Sequence, residues 1–308
     1  MRSRLPKSRT RADRAAPPLR AADRILAPLA FILLWSSSFI TARIGLAHVT
    51  PLFFVAVRQT AVAALLAIAM LVLCRPWTSL SGRWHHCAVA GALINGMTLI
   101  TAHVGMVTVD AAPMALMGAL NPILAAVLAR PVLGERLRPR QWFGMALGLA
   151  GVAIVLGLAA LASHSELDAL LLGGTGVVGL CGGTLYFARF CRDVPWLAGQ
   201  TMQFVAAALV CIAATALFET PRAEWTTGAV TAVLWNIAVV SIGGMGLYSY
   251  MLVRGTAAEV TANFYLVPGT VALLGWALLG ERLSLLAVLG FAIASLGVWL
   301  VRRIPRSA

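Results

Sequence analysis

The most unusual residue for its surroundings is Arg58, which lies in an apolar stretch that begins at Pro51. An ionisable side chain inside an apolar span is costly and marks a functional site by default. Arg58 follows Pro51 by seven residues, which is about 10 Å along a helix at roughly 1.5 Å per residue. Its guanidinium could bind a carboxylate or phosphate, tie helix-end carbonyls together, or extend to the membrane interface. The sequence leaves these three interpretations open.

Other polar and aromatic side chains recur inside the apolar stretches. Trp35 and Ser38 are three residues apart and share a helix face, where Trp35 could stack on an apolar substrate or pack between helices. His103 could carry a proton or be an ordinary core histidine. With Arg58, the candidate substrate-binding residues are Trp35, Ser38, Asn95, Thr98, His103, Gln203, Trp235, Asn263 and Tyr265. For Gln203, Trp235, Asn263 and Tyr265, which lie in the second half, the alternative is a hydrogen bond between helices, worth about 0.6 kcal/mol.

Two prolines lie inside apolar stretches. Pro122 and Pro268 are predicted in the middle of helices, where each would remove a backbone hydrogen bond and produce a kink. We predict these as hinge positions, with a static kink that shapes a cavity as the alternative.

No catalytic group is predicted. His85, His86 and Cys87 are adjacent, but they lack a fourth ligand for zinc, and neither a metal nor a cofactor is expected. Every carboxylate between residues 25 and 302 falls in a predicted loop or at a helix end. Because proton-coupled carriers commonly use a carboxylate at the midplane, the sequence favours facilitated diffusion or exchange.

Composition defines the class of protein that positions these side chains. Of 308 residues, 60% are hydrophobic and 11% are charged, and the mean hydropathy is +0.87, which excludes a soluble enzyme or a secreted disulfide scaffold. The sequence predicts an all-α membrane protein with ten transmembrane helices. Their approximate ranges are 25–46, 51–73, 86–107, 111–133, 142–161, 168–188, 196–217, 229–251, 257–279 and 284–302.

Positive charge predicts the orientation. Residues 1–24 form a basic segment without an apolar face, which is expected to be a disordered cytoplasmic tail beside anionic lipid rather than a nucleic-acid-binding segment. Twenty Lys and Arg residues fall on the side of this tail, against Arg43, Arg222 and Arg282 on the other side. The positive-inside rule then places both termini in the cytoplasm.

The chain contains an internal repeat. A shift of 146 residues places Gly134-Glu135-Arg136-Leu137 over Gly280-Glu281-Arg282-Leu283, and Pro122 over Pro268. The repeats are expected at 25–161 and 168–302, followed by a cytoplasmic tail at 303–308. Since each repeat has five helices, an odd number, the two repeats are predicted to insert with inverted orientation, an architecture typical of transporters.

A family resemblance rests on particular motifs. Leu34-Trp35-Ser36-Ser37-Ser38-Phe39, Pro51 with Arg58, and the two Pro…Gly-Glu-Arg segments resemble the EamA branch of the drug/metabolite transporter superfamily. The resemblance implies a ten-helix inner-membrane carrier with a central cavity lined by helices 1–4 and 6–9, and export of amino acids and other small metabolites. The sequence departs from the pattern where Cys181 replaces the counterpart of Trp35.

The sequence therefore predicts a multi-pass inner-membrane transporter, not an enzyme. It is expected to export a small organic metabolite, with amino acids as the leading class, by alternating access. Expected partners are the substrate and membrane lipids, and the expected assembly is a monomer or homodimer. A membrane scaffold or receptor, and an integral membrane enzyme that modifies lipid, are the alternatives.

Overall fold

A computed structural model describes residues 23–75, 80, 82–108, 118–156, 166–280 and 283–302. Sequence predictions outside these residues include the disorder of the basic tail up to residue 22, the C-terminal tail at 303–308, the start of the fourth predicted helix and the end of the fifth. All regular elements of the described part are helices, apart from one isolated antiparallel bridge between Val49 and Ala223.

The helices follow the order of the predicted apolar stretches. Their bounds are α1 (Asp23–Leu46), α2 (Pro51–Val72), α3 (Trp84–Gly91, Ala92–Met97 and Thr98–Thr108), α4 (Asn121–Leu133), α5 (Pro139–Leu156), α6 (Glu166–Phe190), α7 (Trp196–Phe218), α8 (Thr227–Trp235, Asn236–Gly244 and Met245–Arg254), α9 (Ala257–Thr261, Ala262–Leu266 and Val267–Leu279) and α10 (Leu285–Arg302).

Eight helical stretches of the described chain are long and apolar enough to cross a membrane. They belong to α1, α2, α3, α6, α7, α8, α9 and α10, whereas α4 is a shorter apolar helix of 13 residues. The predicted count of ten spans therefore stays a prediction. Large apolar side chains on the outer surface, such as Leu217, Phe218 and Leu285, are at least 74% exposed, as expected for helices that face lipid.

Three helices change their hydrogen-bonding pattern near the middle. The middle segments of α3 and α8 are π-helical, and that of α9 is a 3-10 helix. The 146-residue shift places Ala92–Met97 of α3 within Asn236–Gly244 of α8, so the π segments occupy equivalent positions in the two repeats. Short π segments are frequent at functional sites, and here they lie about halfway along their helices.

Of the two predicted hinge prolines, Pro122 lies at the start of a described helix, whereas Pro268 lies near the middle of α9, just after its 3-10 segment. Pro122 is the second residue of α4, and Pro268 is the second residue of the Val267–Leu279 segment of α9. A proline in the first turn removes no hydrogen bond that the helix would otherwise make. The backbone irregularity in α9 is the 3-10 segment that precedes Pro268.

Helices α5 and α10, which are equivalent in the repeat, cross through glycines. A methyl group added at Gly144 would lie 2.7 Å from the carbonyl oxygen of Gly297, and one at Gly151 would lie 2.6 Å from that of Gly290. The order of these contacts shows that α5 and α10 run antiparallel. Small residues allow such a close approach of two backbones inside a membrane.

Candidate functional site

The guanidinium of Arg58 is bound by the π segment of α8. Arg58 is 1% exposed, its Nε donates to Ser241 Oγ at 2.8 Å, and one terminal nitrogen donates to Asn236 Oδ1 at 3.0 Å. Asn236 in turn donates to Thr41 Oγ1 of α1 at 2.9 Å. Arg58 does not extend to the membrane interface, and its partners are side chains of a helix middle rather than helix-end carbonyls.

The next residue of α2 contacts the other π segment. Gln59 Nε2 donates to the backbone carbonyl of Asn95 in α3 at 2.5 Å. Ser241 occupies the position equivalent to Asn95 under the 146-residue shift, so consecutive residues of α2 contact matching positions of the two repeats. The side-chain amide of Asn95 and the Oε1 of Gln59 are buried without a hydrogen-bond partner in the described structure. Buried polar groups are normally paired, so these atoms are candidates to bind water or substrate.

His103 lies on the same side of α2 as the polar cluster that Arg58, Gln59, Asn95, Asn236 and Ser241 form. Its ring stacks on Phe54 with 5.5 Å between centroids, and its Nδ1 lies 2.8 Å from the carbonyl oxygen of Leu99. Since a carbonyl can only accept, Nδ1 carries the proton. The Nε2 atom is then an acceptor, buried without a partner in the described chain.

Trp35 belongs to a packed aromatic cluster. Its ring lies 5.6 Å from Phe31 and 5.4 Å edge-on from Phe264, while Tyr248 stacks on Phe31 at 5.5 Å. Trp35 is 9% exposed, and these contacts join α1, α8 and α9. They are typical of packing between helices, and stacking of a substrate on Trp35 stays a prediction.

A cavity of about 600 Å³ lies between α3, α6, α7 and α8. Its polar lining comes from Arg192, Gln200, Gln203, Tyr250 and Arg254. None of the described residues that line it is Asp or Glu. Gln200 donates to Ser249 at 2.6 Å, but its Oε1 is buried without a partner in the described residues. The cavity is therefore suited to an anionic group at one end and a hydrogen-bond donor further in.

The cavity extends from one end of the molecule to about its midplane. Its lining runs along α8 from Arg254 back to Gly243, which is about 16 Å at roughly 1.5 Å per residue. Gly243 belongs to the π segment whose residues bind Arg58. Arg58 thus lies just beyond the deep end of the cavity.

Contacts between two loops close the end of the molecule beyond Arg58. The carboxylate of Glu219 accepts from the backbone N–H groups of Leu52 and Phe53 at 2.9 and 2.8 Å, which caps α2. Val49 and Ala223 form the antiparallel bridge. Because these contacts are backbone hydrogen bonds and a charged cap, they hold the α1–α2 and α7–α8 loops together.

The opposite end, where the cavity lies, carries ion pairs. Arg192 lies 3.7 Å from Glu135 of the α4–α5 loop, and Arg83 lies 3.2 Å from Asp193. Glu135 also accepts from the N–H of Ala257 at 3.5 Å. Burial raises the pKa of Glu135 above its usual 4.5, and the nearby Arg192 guanidinium opposes that rise.

The predicted site residues are divided among several places. Only Gln203 lines the large cavity. Thr98 donates to the Leu93 carbonyl in the α3 π segment, Ser38 donates to the Trp35 carbonyl, and Trp235 donates to Ser37 while 43% exposed. Asn263 lines a second cavity, and the Tyr265 hydroxyl is buried without a partner in the described residues. Substrate binding by these residues stays a prediction.

Several residues of the site were not predicted. Ser241 accepts from Arg58, Gln59 donates to the carbonyl of Asn95, and Arg192 and Trp196 line the cavity. The repeat itself contained a signal for Ser241, since the 146-residue shift aligns it with Asn95. Arg192 follows α6 in a loop, where an arginine is ordinary, so composition alone could not distinguish it.

The helical bundle, its apolar surface and its buried polar centre define a polytopic helical membrane protein. Residues 24–157 and again 169–303 match the EamA-like transporter family, and the chain belongs to that family. It is 28% identical over 282 residues to the "Uncharacterized inner membrane transporter YedA" of Escherichia coli, with 88% of each chain covered.

Two further comparisons agree with this membership. The chain is 27% identical over 280 residues to a "Probable terminal-alkyne amino-acid exporter" of Streptantibioticus cattleyicolor, covering 88% of this chain and 91% of that protein. A solved crystal structure superposes with a TM-score of 0.76 at 21% identity, covering 91% of this chain and 97% of its own. At that identity the likeness concerns the fold alone.

Proposed function

We propose that the protein exports a small organic metabolite, with amino acids as the leading class, across the inner membrane by alternating access. The observation that carries the proposal is the cavity lined by arginines and glutamines, which reaches the midplane and is closed off beyond Arg58. The relatives named as an inner-membrane transporter and an amino-acid exporter support the compartment and the substrate class.

The lining suggests how an amino acid binds. Its carboxylate is assigned to the end lined by Arg192 and Arg254, and its ammonium to the unpaired Oε1 of Gln200. Trp196 and Leu247 offer apolar surface for its side chain. Arg58, already bound to Ser241 and Asn236, then acts in closing the far end rather than in binding the carboxylate in this conformation.

The proposal includes the orientation of the two repeats and of both termini in the membrane. The two repeats, 25–161 and 168–302, each contribute five helices in opposite orientation, and both termini lie in the cytoplasm. The antiparallel crossing of α5 and α10 supports the inversion. In this orientation the cavity opens to the cytoplasm, which is where an exporter collects its substrate.

Counterflow in liposomes with purified protein tests the proposal. A panel of labelled amino acids should show exchange of one class, and Gln203→Leu should reduce its rate about tenfold by removing a polar group from the cavity. Gln141→Leu is the matched control, because Gln141 is buried in α5 and does not line the cavity. Specific binding of an amino acid without any flux would instead indicate a receptor, and no exchange from folded protein would reject amino acids as the class.

A further inference from the structure

A second cavity, of about 450 Å³, lies between the first turns of α1 and α9 and the last turns of α8 and α10. Three arginines line it, Arg24, Arg254 and Arg302, against one carboxylate, Glu259. Glu259 is also engaged in a capping box with Thr256. The lining therefore has an excess of positive charge, which favours an anion.

This cavity also contains a polar atom without a partner. Asn263 is 1% exposed and lines the cavity, and its Nδ2 donates to the Val260 carbonyl at 2.8 Å. Its Oδ1 is buried without a hydrogen-bond partner in the described residues. An amide oxygen can only accept, so a ligand that satisfies it must bring a hydroxyl or another donor.

The rim of the cavity belongs to the surface that faces lipid. Ile25 is 62% exposed and Trp299 is 46% exposed. Leu29 lies one turn after Ile25 and is 51% exposed, and Leu296 lies one turn before Trp299 and is also 51% exposed. Apolar side chains thus continue from the arginine-lined cavity along α1 and α10, as acyl chains would require.

We infer that this cavity is a binding site for an anionic phospholipid with a hydroxylated headgroup, of the phosphatidylglycerol type. The phosphate diester lies among the arginines, a headgroup hydroxyl donates to Asn263 Oδ1, and the acyl chains follow Ile25, Leu29 and Trp299. Basic cavities between membrane helices are a recurrent way of binding anionic headgroups. The site adjoins the transport cavity, because Arg254 lines both.

Native mass spectrometry of delipidated protein with defined lipids tests the site. Parental protein should retain phosphatidylglycerol at least tenfold better than phosphatidylcholine. The Arg24→Gln/Arg302→Gln variant should lose about 25-fold in affinity for phosphatidylglycerol, at about fivefold per arginine. The control Arg130→Gln/Arg138→Gln removes two exposed arginines from the same end of the molecule and should leave the preference unchanged. Equal retention of the two lipids by the parental protein, or an unchanged preference in the double variant, would overturn the inference.

Two further probes show whether the bound anion is a lipid or a soluble phosphate ester. Both can be measured on the parental protein, so they do not depend on the folding of a variant. Glycerophosphoglycerol has the phosphate diester and the headgroup hydroxyls without acyl chains, and competition by it as strong as by phosphatidylglycerol would show a site for soluble phosphate esters and contradict the lipid assignment. Phosphatidylmethanol has the charge without the hydroxyls. Parental protein should prefer phosphatidylglycerol to phosphatidylmethanol severalfold, and Asn263→Leu should abolish that difference while it keeps the preference for both over phosphatidylcholine. If Asn263→Leu keeps the difference, Asn263 does not bind the headgroup.

Discussion

At the scale of single residues, the buried guanidinium of Arg58 is held by neutral partners. Hydrogen bonds to a charged group are worth about 1.5–3 kcal/mol each, and Arg58 makes two of them across the interface between α2 and α8. Arginine suits this position because its planar fork directs two bonds at once, whereas lysine is a point charge. Arg58 therefore couples the position of α2 to the π segment of α8.

A double-mutant cycle measures this coupling. Ser241→Ala should lower the melting temperature of the parental protein, because it removes the acceptor of Arg58 Nε. In an Arg58→Lys background the same change should have little further effect, since the directed bond is already lost. Ser295→Ala is the control, because Ser295 donates within its own helix to Phe291, and its effect should add to that of Arg58→Lys. If the losses of melting temperature caused by Ser241→Ala and Arg58→Lys are additive, the two side chains do not interact.

The carboxyl group of Glu135 predicts a pH effect. Because burial raises its pKa above 4.5, the folded state holds a proton there that the unfolded state has already lost. The free energy of unfolding should therefore fall as the pH rises from 4.5 through the raised pKa. Glu135→Gln should flatten this part of the profile in thermal unfolding measured from pH 4 to 8. Glu224→Gln changes an exposed carboxylate at the opposite end and should preserve the parental profile. If Glu135→Gln leaves the profile unchanged, the pH dependence does not come from Glu135.

At the scale of elements, hydropathy predicted where the helices lie but not where the backbone hydrogen-bonding pattern changes within a helix. Apolar runs of about 20 residues indicate spans because each must satisfy its backbone hydrogen bonds internally. The π segments of α3 and α8 have no such signature, and in α3 two of the carbonyls accept from side chains, that of Asn95 from Gln59 of α2 and that of Leu93 from Thr98 of the same helix. The sequence placed Pro268 inside a span, but it showed neither the 3-10 segment before Pro268 nor the start of α4 at Asn121, because apolar runs do not show where a helix restarts.

The glycine crossing of α5 and α10 predicts a strong effect of one methyl group. Gly297→Ala would place Cβ 2.5 Å from both the Gly144 oxygen and the Gly148 nitrogen, which are backbone atoms that cannot move aside without shifting a helix. We expect a fall in melting temperature of about 5 °C or more, because overpacking costs about 1–3 kcal/mol. Gly182→Ala is the matched control, since its added Cβ meets no atom of another described element within 4 Å. A melting temperature of Gly297→Ala equal to that of Gly182→Ala would show that this crossing is not tight.

At the scale of the whole molecule, the two ends differ. One end is closed by the loop bridge and the Glu219 cap, and the other holds the cavity and the ion pairs of Arg83 and Arg192. The repeat was visible in the sequence, but this asymmetry was not, because it depends on contacts between residues far apart in the chain, such as Glu219 with Leu52. Inverted repeats allow the closed and open ends to exchange roles.

Orientation can be tested with the cysteines. Cys74 is exposed, whereas Cys87, Cys181, Cys191 and Cys211 are buried. If the α2–α3 loop is cytoplasmic, a membrane-impermeant maleimide should label Cys74 only after cells are permeabilised. In a Cys74→Ser background, Glu224→Cys places a thiol at the opposite end, where the Glu224 side chain is 81% exposed, and it should be labelled on intact cells. The reverse pattern would invert the topology.

Reversible locking of the closed end tests alternating access most directly. Val49 and Ala223 form an antiparallel bridge, and such pairs have Cα atoms about 4.5–5.5 Å apart, a separation that a disulfide accepts. In the Val49→Cys/Ala223→Cys variant, oxidation should lower substrate counterflow at least tenfold, and reduction should restore it, while Val49→Cys alone stays at the parental rate under both conditions. Counterflow at the parental rate through fully cross-linked protein would contradict the account, because substrate would then cross without opening this end.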